Sequence, residues 1–265
     1  MKLTYVYCIV RSARRPSVPR VPPMPGADGI RVMSAGGGLW LIVSDVPVQE
    51  YGEDALSRGL HDLQWVGRRA MAHEAVIERF LKARAVLPMK LFTLFTSDER
   101  ALNHVKRHSR RIERVLARVD RQLEWGVRLT FDERAGKSAD DGASKARSAK
   151  AARAETGVGY LSRKKDLRDH TRLRLAQARS AGERWYRVMS RQATAANRRK
   201  ALEQSEHGSR LIVDAAFLVP ARRSTAFRAE VRRHARDLSA AGVAVALTGP
   251  WPPYNFVSSS SGRSS

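Results

Sequence analysis

The sequence predicts an α+β fold, because segments with strand character alternate with segments of helical periodicity along its 265 residues. The strand-like segments are rich in β-branched and aromatic residues and lie near positions 5, 40, 90, 127, 213 and 245. This length suits one large or two small domains, and the 43% of apolar residues permit a sizeable core. We therefore expect one or two α+β domains with small mixed or antiparallel sheets and packed helices, and a division into two would fall between 1–123 and 124–257.

The first domain begins with a strand over Leu3–Val10, followed by a proline-rich loop and a second strand over Leu39–Val46. From Leu63 to Phe80, apolar residues step by three or four, which predicts a helix with His73 in its apolar phase. We expect His73 to be a core histidine with a local hydrogen bond, because neither a nucleophile nor a paired carboxylate lies near it in sequence.

The segment Val86–Phe95 predicts a further strand, and Pro88 near its start suits an edge or a strand entry. Thr96–Glu99 has the pattern of a capping box and opens the next helix. Apolar residues then alternate steps of three and four from Leu102 to Leu123, which forms a narrow heptad seam. This seam either packs on the domain's own sheet or pairs with a partner helix.

His104 and His108 have the i, i+4 spacing of a metal chelate. Cationic residues at positions 106, 107, 110 and 111 surround the pair and would repel a metal ion. The sequence also contains no GxSxG, P-loop, HExxH or Cys/His zinc pattern, and its carboxylates are scattered. We therefore predict no catalytic residue, no bound metal, no cofactor and no enzymatic activity.

The second domain begins with an alternating strand over Trp125–Phe131. Residues 135–156 are rich in Ala, Ser, Lys, Gly and Asp without periodicity, so we expect a flexible loop. A long basic helix follows to about Gln204, and the stretch Lys145–Lys200 has 17 Lys or Arg residues against 4 Asp or Glu. This helix presents either an ordinary solvated charged face or an anion-binding surface.

After the long basic helix, the sequence predicts a strand, a helix and a last strand. Arg210–Val219 predicts another strand, and the helix after it ends at Gly242, which suits a left-handed cap. The apolar run Val243–Leu247 predicts the last strand. The polar residues 258–265 contain no structural pattern, and we expect them to form a disordered tail.

The segment after the last strand combines three prolines with three large aromatic residues. Gly249 and Pro250 are expected to stop the strand, because proline fixes φ and removes a backbone donor. A rigid backbone loses little entropy on packing, so we expect Trp251, Tyr254 and Phe256 to be buried against the sheet of the second domain. The alternative is an exposed PxxP ligand for a proline-binding module.

The net charge of +23 indicates an acidic partner, such as nucleic acid, an anionic membrane surface or an acidic protein. Cys8 is the single cysteine, so no internal disulfide forms and a reducing cytoplasm is the expected compartment. No apolar run approaches the roughly 20 residues that a membrane helix needs. We therefore expect no membrane span.

Several segments together resemble one family. Thr248–Val257 reads TGPWPPYNFV and is similar to the TGPWPPYSF motif of the gas vesicle synthesis proteins of the GvpL/GvpF family, with Asn255 in place of Ser. Leu87–Phe95 resembles the family's LPLRFGTVF segment, with Phe92 in place of Gly. Gly157–Lys165 matches the pattern G.GYL.RK. The motif positions that the resemblance singles out are Leu87, Pro88, Gly157, Gly159, Tyr160, Leu161, Gly249, Pro250, Trp251, Pro252, Pro253, Tyr254 and Phe256.

The resemblance implies two α+β domains, at least one of them ferredoxin-like, and no catalytic role. It implies an accessory protein of gas vesicles, which are hollow protein shells built from a small hydrophobic shell protein. The expected partners are that GvpA-type shell protein and other gas vesicle accessory proteins, and the expected location is the cytoplasm or the gas vesicle. The charge alone supports a different function, that of a basic nucleic-acid-binding protein, although no known nucleic-acid-binding motif is present.

Overall fold

The computed structural model describes residues 1–132, 157–199 and 209–257, without the side chains of residues 157–164 and 167. Contacts divide the chain into two compact units. The first unit comprises Met1–Glu124 together with the segment that begins at Pro250, and the second comprises Trp125–Gly249. The predicted flexible loop at 135–156 and the predicted tail at 258–265 lie outside the described residues.

The first unit contains an antiparallel sheet in the order β2-β3-β1-β4, and β5 also pairs with β1. Its strands are β1 (Lys2–Arg11), β2 (Arg31–Gly36), β3 (Leu39–Pro47), β4 (Ala85–Pro88) and β5 (Leu94–Phe95). The central strand β1 is buried from Thr4 to Val10, as expected for a strand covered on both faces. The sheet therefore provides the floor on which the helices of this unit pack.

The register of β1 against β3 shifts between Val6 and Cys8, so Tyr7 is the extra residue of a β-bulge. The Tyr7 hydroxyl accepts a hydrogen bond from the Met24 amide at 2.9 Å and donates to Ser44 Oγ at 3.0 Å. The Ser44 hydroxyl in turn donates to the Gly29 carbonyl. This chain of hydrogen bonds satisfies the buried hydroxyls and holds the proline-rich loop against the sheet.

The helices of the first unit are α1 (Val48–Tyr51), α2 (Glu53–Gly59), α3 (Leu63–Glu78), α4 (Asp98–Arg107) and α5 (Ser109–Arg118). Asp62 caps α3, because its carboxylate accepts from the amides of Gln64 and Trp65. Ser97 caps α4 by accepting from the Arg100 amide at 3.2 Å. The cap therefore lies inside the predicted capping-box segment.

The predicted heptad seam is divided between two helices, because α4 ends at Arg107 and α5 begins at Ser109. Its residues Val105, Ile112 and Leu116 are buried in the structure. Helix α5 contacts β4 of the same unit. The structure therefore agrees with the interpretation that the seam packs on its own sheet, and it leaves little of the seam for a partner helix.

Within its described residues, the second unit has the element order βαββαβ and a sheet in the order β7-β8-β6-β9. Its elements are β6 (Gln122–Asp132), α6 (Gly157–Gln192), β7 (Ala195–Arg198), β8 (Ser209–Pro220), α7 (Ser224–Ala240) and β9 (Val243–Trp251). Side chains of α6 and α7, including Trp185 and Phe227, share one core with the sheet. Gly182 allows α6 to approach β8 closely, since a Cβ there would lie 2.7 Å from Ile212 Cγ2.

The expectation of a helix reaching Gln204 was wrong at its C-terminal end. Helix α6 ends at Gln192, and β7 then pairs antiparallel with β8, with Ala195 opposite Leu218. Here the pairing with a distant strand outweighs the local helix propensity. A local sequence pattern contains no information about such pairing.

Two expectations for the C-terminal segment were also wrong. Strand β9 continues through Gly249 and Pro250 to Trp251, and Trp251 keeps 37% of its surface exposed. Helix α8 (Tyr254–Val257) follows, and contacts place it with the first unit instead of the second. Phe256 is buried at 2% exposure, and Tyr254 packs against the core of the first unit.

Among the described helices, none is both long enough and apolar enough to cross a bilayer.

Candidate functional site

The first unit contains a mainly apolar cleft of about 590 Å³, which we call the apolar cleft. Its volume lies within the range of about 300–1,000 Å³ that is usual for ligand pockets. The lining residues come from the β1–β4 region, α3, α4, α5 and α8: Ile9, Ala70, His73, Glu74, Leu87, Pro88, Met89, Lys90, Leu91, Thr93, His104, His108, Arg111, Ile112, Val115, Tyr254 and Val257. Two of the family-like motifs thus meet at one site, through Leu87, Pro88 and Tyr254.

One wall of the apolar cleft is the turn between β4 and β5. The Met89 amide still donates to the Tyr7 carbonyl at 2.9 Å, so the chain leaves the sheet only after this residue. The amide and the hydroxyl of Thr93 then both donate to the Lys90 carbonyl, at 3.1 Å and 2.7 Å. These bonds close a tight turn that exposes Leu91 to the cleft.

Phe92 lies in this turn with a φ of 62°, in the left-handed region that non-glycine residues rarely adopt. It occupies the position at which the family-like motif has glycine. Its ring centroid lies 5.4 Å from that of Trp65 on α3. The backbone of the turn thus has the left-handed conformation that glycine usually adopts. The contact between the two aromatic rings offsets part of the strain that this conformation causes at Phe92.

His73 forms part of the floor of the cleft and is a core histidine, as predicted. Its side chain is buried, with Nδ1 at 2.7 Å from the Tyr5 hydroxyl and Nε2 at 3.2 Å from the Met89 carbonyl. A carbonyl only accepts, so Nε2 has the proton and Nδ1 accepts from Tyr5. Burial lowers the pKa of His73 to about 4, which keeps the ring neutral near pH 7.

Glu74 and Tyr254 join α3 to α8 at another side of the cleft. The Tyr254 hydroxyl donates to Oε2 of Glu74, whereas Oε1 of Glu74 is buried without a hydrogen-bond partner in the described part of the chain. Burial raises the pKa of the Glu74 carboxyl. A second carboxylate, that of Glu124, accepts from the Asn255 amide at 2.9 Å and from its side-chain Nδ2. These bonds fix the C-terminal motif to the first unit.

The opposite side of the cleft has an apolar wall and a cationic rim. Ile112 and Val115 on α5 form the wall, and Lys90 and Arg111 contribute positive charge to the lining. The rings of His104 and His108 lie 4.3 Å apart, and His108 Nδ1 donates to the His104 carbonyl at 2.8 Å. Burial, and then the neighbouring His108 and Arg107, lower the pKa of His104. An occupant with apolar side chains and a carboxylate would fit this combination of surfaces.

The remaining motif positions lie elsewhere. Pro252 and Pro253 are buried just before α8, and Gly157, Gly159, Tyr160 and Leu161 are in the first turns of α6 in the second unit. In the ranges that the structure describes, no three His, Cys, Asp or Glu side chains are grouped as a metal site would require. The sequence reasoning missed Glu74 as part of the site, although it lies directly after His73 in the predicted helix.

Comparison with known proteins gives a consistent result. The family model of the gas vesicle synthesis protein GvpL/GvpF matches residues 3–258. The chain is 30% identical over 263 residues to gas vesicle protein L of Streptomyces sp. (strain CB03234), covering 96% of this chain and 92% of that relative. It is 29% identical to gas vesicle protein F of the same strain, covering 96% of this chain and 99% of that protein.

Two solved structures share the fold. The crystal structure of gas vesicle protein GvpF from Anabaena sp. PCC7120 matches with a TM-score of 0.65 at 15% identity, covering 98% of each chain. That of GvpF from Microcystis aeruginosa matches with a TM-score of 0.62 at 12% identity, covering 97% of this chain and 99% of that one. At these identities the likeness establishes the mixed α+β fold.

Proposed function

Because the chain belongs to the gas vesicle synthesis protein GvpL/GvpF family, we propose that it binds the hydrophobic shell protein during gas vesicle formation and helps to nucleate or build the shell. Membership of the family implies a role in gas vesicle formation, and the binding step is our proposal. The observation that carries it is the meeting of two family-like motifs at one apolar cleft. The proposed role is non-catalytic, with other gas vesicle proteins as partners in the cytoplasm or at the vesicle.

The lining of the apolar cleft supports binding of an apolar polypeptide segment. Leu91, Ile112 and Val115 present aliphatic surface from two sides, in a space that accepts side chains. Burial of apolar surface gives about 25 cal/mol per Å², so a few inserted side chains provide a useful binding free energy. An amphipathic helix that places its apolar face in a groove is a common form of such recognition.

The cationic rim adds a preference to this proposal. Lys90 and Arg111 line the cleft, so a segment with a carboxylate beside its apolar residues binds best. The neutral His73 leaves the floor of the cleft without a charge that would oppose apolar side chains, whereas the Glu74 carboxylate, at another side, is hydrogen-bonded to Tyr254 through one oxygen. The shell segment is therefore expected to be apolar with acidic residues next to the inserted side chains.

The topology of the second unit supports a finer fold assignment. Its described elements follow the order βαββαβ, its sheet order is β7-β8-β6-β9, and helices α6 and α7 share one core with the sheet. We assign this unit to the ferredoxin-like type, in which the same element order occurs. The long helix α6 is the first helix of that pattern.

Nucleic-acid binding is the competing function, and the net charge of +23 favours it. Charge-driven binding of this kind is independent of sequence and weakens steeply as salt rises. Apolar binding to a shell protein is not weakened by salt. We therefore regard nucleic-acid affinity as incidental.

Complementation in a gas-vesicle-forming host that lacks this gene tests the proposal. Val115→Asp places a charge in the wall of the apolar cleft and should abolish buoyant vesicles. Leu63→Asp is the matched control, because Leu63 is 86% exposed on α3 and lies outside the cleft. It should support normal vesicles at an equal protein level. Equal buoyancy with both variants would contradict the proposed site, and a change in shell-gene transcripts would favour the nucleic-acid function.

A further inference from the structure

Strand β9 is an edge of the sheet in the second unit. The sheet order ends with β6-β9, and within residues 1–132, 157–199 and 209–257 no strand pairs with the outer side of β9. The strand is nine residues long, and from the buried Val243 to the partly buried Leu247 every second side chain is exposed. Such an edge has a row of backbone donors and acceptors that is ready to pair with another strand.

A second hollow, of about 310 Å³, lies between β9 and α7, and we call it the edge groove. The apolar part of its lining consists of Trp125, Val231, Val245 and Leu247. The indole N–H of Trp125 is already used, since it donates to Ser224 Oγ at 3.3 Å. The groove therefore presents apolar surface directly beside the strand edge, as needed for a side chain of an added strand.

Two arginines line the edge groove from α7. Arg228 and Arg232 are exposed and four residues apart, so they lie on the same side of the helix. The Arg228 guanidinium lies 5.5 Å from the Trp125 ring centroid, which orients it over the groove. Neither arginine forms an ion pair with a described residue, whereas Arg233 on the same helix pairs with Glu230. Among the described residues, the lining of the edge groove thus has two positive charges and no carboxylate.

We infer that β9 binds an extended segment of a partner protein by strand addition, with an apolar side chain in the edge groove and carboxylates at Arg228 and Arg232. Backbone hydrogen bonds along an edge provide affinity, and the groove and the arginines select the segment. Arginine and carboxylate pair bidentately, which adds geometric specificity. The inference stands independently of the proposed shell-protein site, because it uses different residues in the other unit.

Charge decides between the possible occupants. A second copy of this chain would bring its own Arg228 and Arg232 to the same edge, and its net charge is +23. Like charges placed opposite each other disfavour that pairing. A nucleic acid satisfies the arginines but lacks the peptide groups that complete a β ladder. An acidic, β-forming polypeptide satisfies all three surfaces: the edge, the groove and the arginines.

Fluorescence anisotropy with the full-length protein tests the inference. The probe is a labelled peptide of alternating Glu and Val residues, measured at about 0.15 M salt. Double substitution Arg228→Glu with Arg232→Glu should weaken binding about tenfold or more. The matched control is Arg168→Glu with Arg172→Glu, an exposed pair with the same spacing on α6. It has the same change in net charge and should alter the affinity by less than about threefold.

N-methylation of every peptide bond removes the backbone donors on both edges of the probe without changing its charge. Strand addition predicts a loss of about tenfold or more for the methylated peptide, together with slower amide exchange in β9 when the parent peptide binds. Equal binding of the methylated peptide would overturn strand addition. A single-stranded oligothymidylate that binds more tightly, with the same dependence on Arg228 and Arg232, would overturn the assigned occupant.

Discussion

The Tyr254 hydroxyl donates a hydrogen bond to Oε2 of Glu74, which lies 180 positions earlier in the chain. This contact fixes the C-terminal motif on α3 and forms one side of the apolar cleft. The other oxygen of this buried carboxylate, Oε1, has no hydrogen-bond partner among the residues that the structure describes. The geometry of the cleft and the stability of the first unit therefore depend on the same pair.

Glu74→Gln should raise the melting temperature near pH 7. An amide oxygen still accepts from Tyr254, and the substitution removes the cost of burying a charge. Because burial raises the Glu74 pKa above its ordinary value of 4.5, the folded protein binds more protons than the unfolded chain above that pH. The wild-type free energy of unfolding thus falls as the pH rises from the ordinary pKa of Glu74 towards its raised value. The Glu74→Gln variant has no carboxyl at this position, so its free energy of unfolding should not show this fall. Thermal melts at several pH values would refute the argument if both proteins had the same pH profile.

Tyr254→Phe is expected to destabilise the protein by about 1–3 kcal/mol, because it leaves the Glu74 carboxylate without its donor. Denaturant unfolding of the single variant and of the double variant with Glu74→Gln measures the coupling. The two changes should be non-additive, since they act on one hydrogen bond. Additive effects would show that the pair does not interact in solution.

Phe92→Gly should be more stable than Phe92→Ala by about 1 kcal/mol, although glycine usually costs stability relative to alanine. The reason is the φ of 62°, which glycine adopts without strain. Both variants lose the contact with Trp65, so their comparison isolates the backbone. Chemical denaturation provides the measurement, and a more stable alanine variant would contradict the left-handed turn.

Phe256→Ala should cost about 3–5 kcal/mol, as for a truncated core aromatic. Trp251→Ala should cost only about 1 kcal/mol, because the Trp251 side chain stays partly exposed in the structure. The sequence-based expectation assigned a core role to both residues. Equal losses of stability in the two variants would support that expectation over the structure.

Gly182→Ala should destabilise the second unit by about 1 kcal/mol, since the clash with Ile212 outweighs the gain in helix propensity. Gly67→Ala on α3 is the matched control, because its Cβ would meet nothing within 4 Å. That control should stabilise the protein by about 0.5–1 kcal/mol. Thermal or denaturant melts should therefore show a loss of stability for Gly182→Ala and a gain for Gly67→Ala.

Local patterns predicted most elements of this fold. The alternation at Trp125–Phe131 and the helical phase of His73 both depend on neighbouring residues, and the structure agrees with them. The role of His73 as a hydrogen-bonded core residue followed from its place in that phase. These predictions were correct because the periodicity of apolar residues reflects directly which side chains are buried.

The features that sequence reasoning missed depend on contacts between distant segments. Strand β7 forms because Ala195 pairs opposite Leu218, although the local composition favours helix. Helix α8 belongs to the first unit because Tyr254 bonds Glu74 and Asn255 bonds Glu124. The apolar cleft depends on the same long-range contacts, so its lining could not be assembled from motifs alone.

The central claim is that the apolar cleft binds the shell protein through apolar burial. The most direct measurement is capture of this protein by immobilised shell protein, compared with capture by duplex DNA, between about 0.05 and 0.5 M salt. Wild-type protein should bind the shell protein across the whole range, and Val115→Asp should not, whereas Leu63→Asp should bind like wild type. DNA capture should vanish at the higher salt for all three proteins. Salt-resistant, sequence-selective DNA binding without shell-protein capture, or equal capture of Val115→Asp and wild type, would contradict the account.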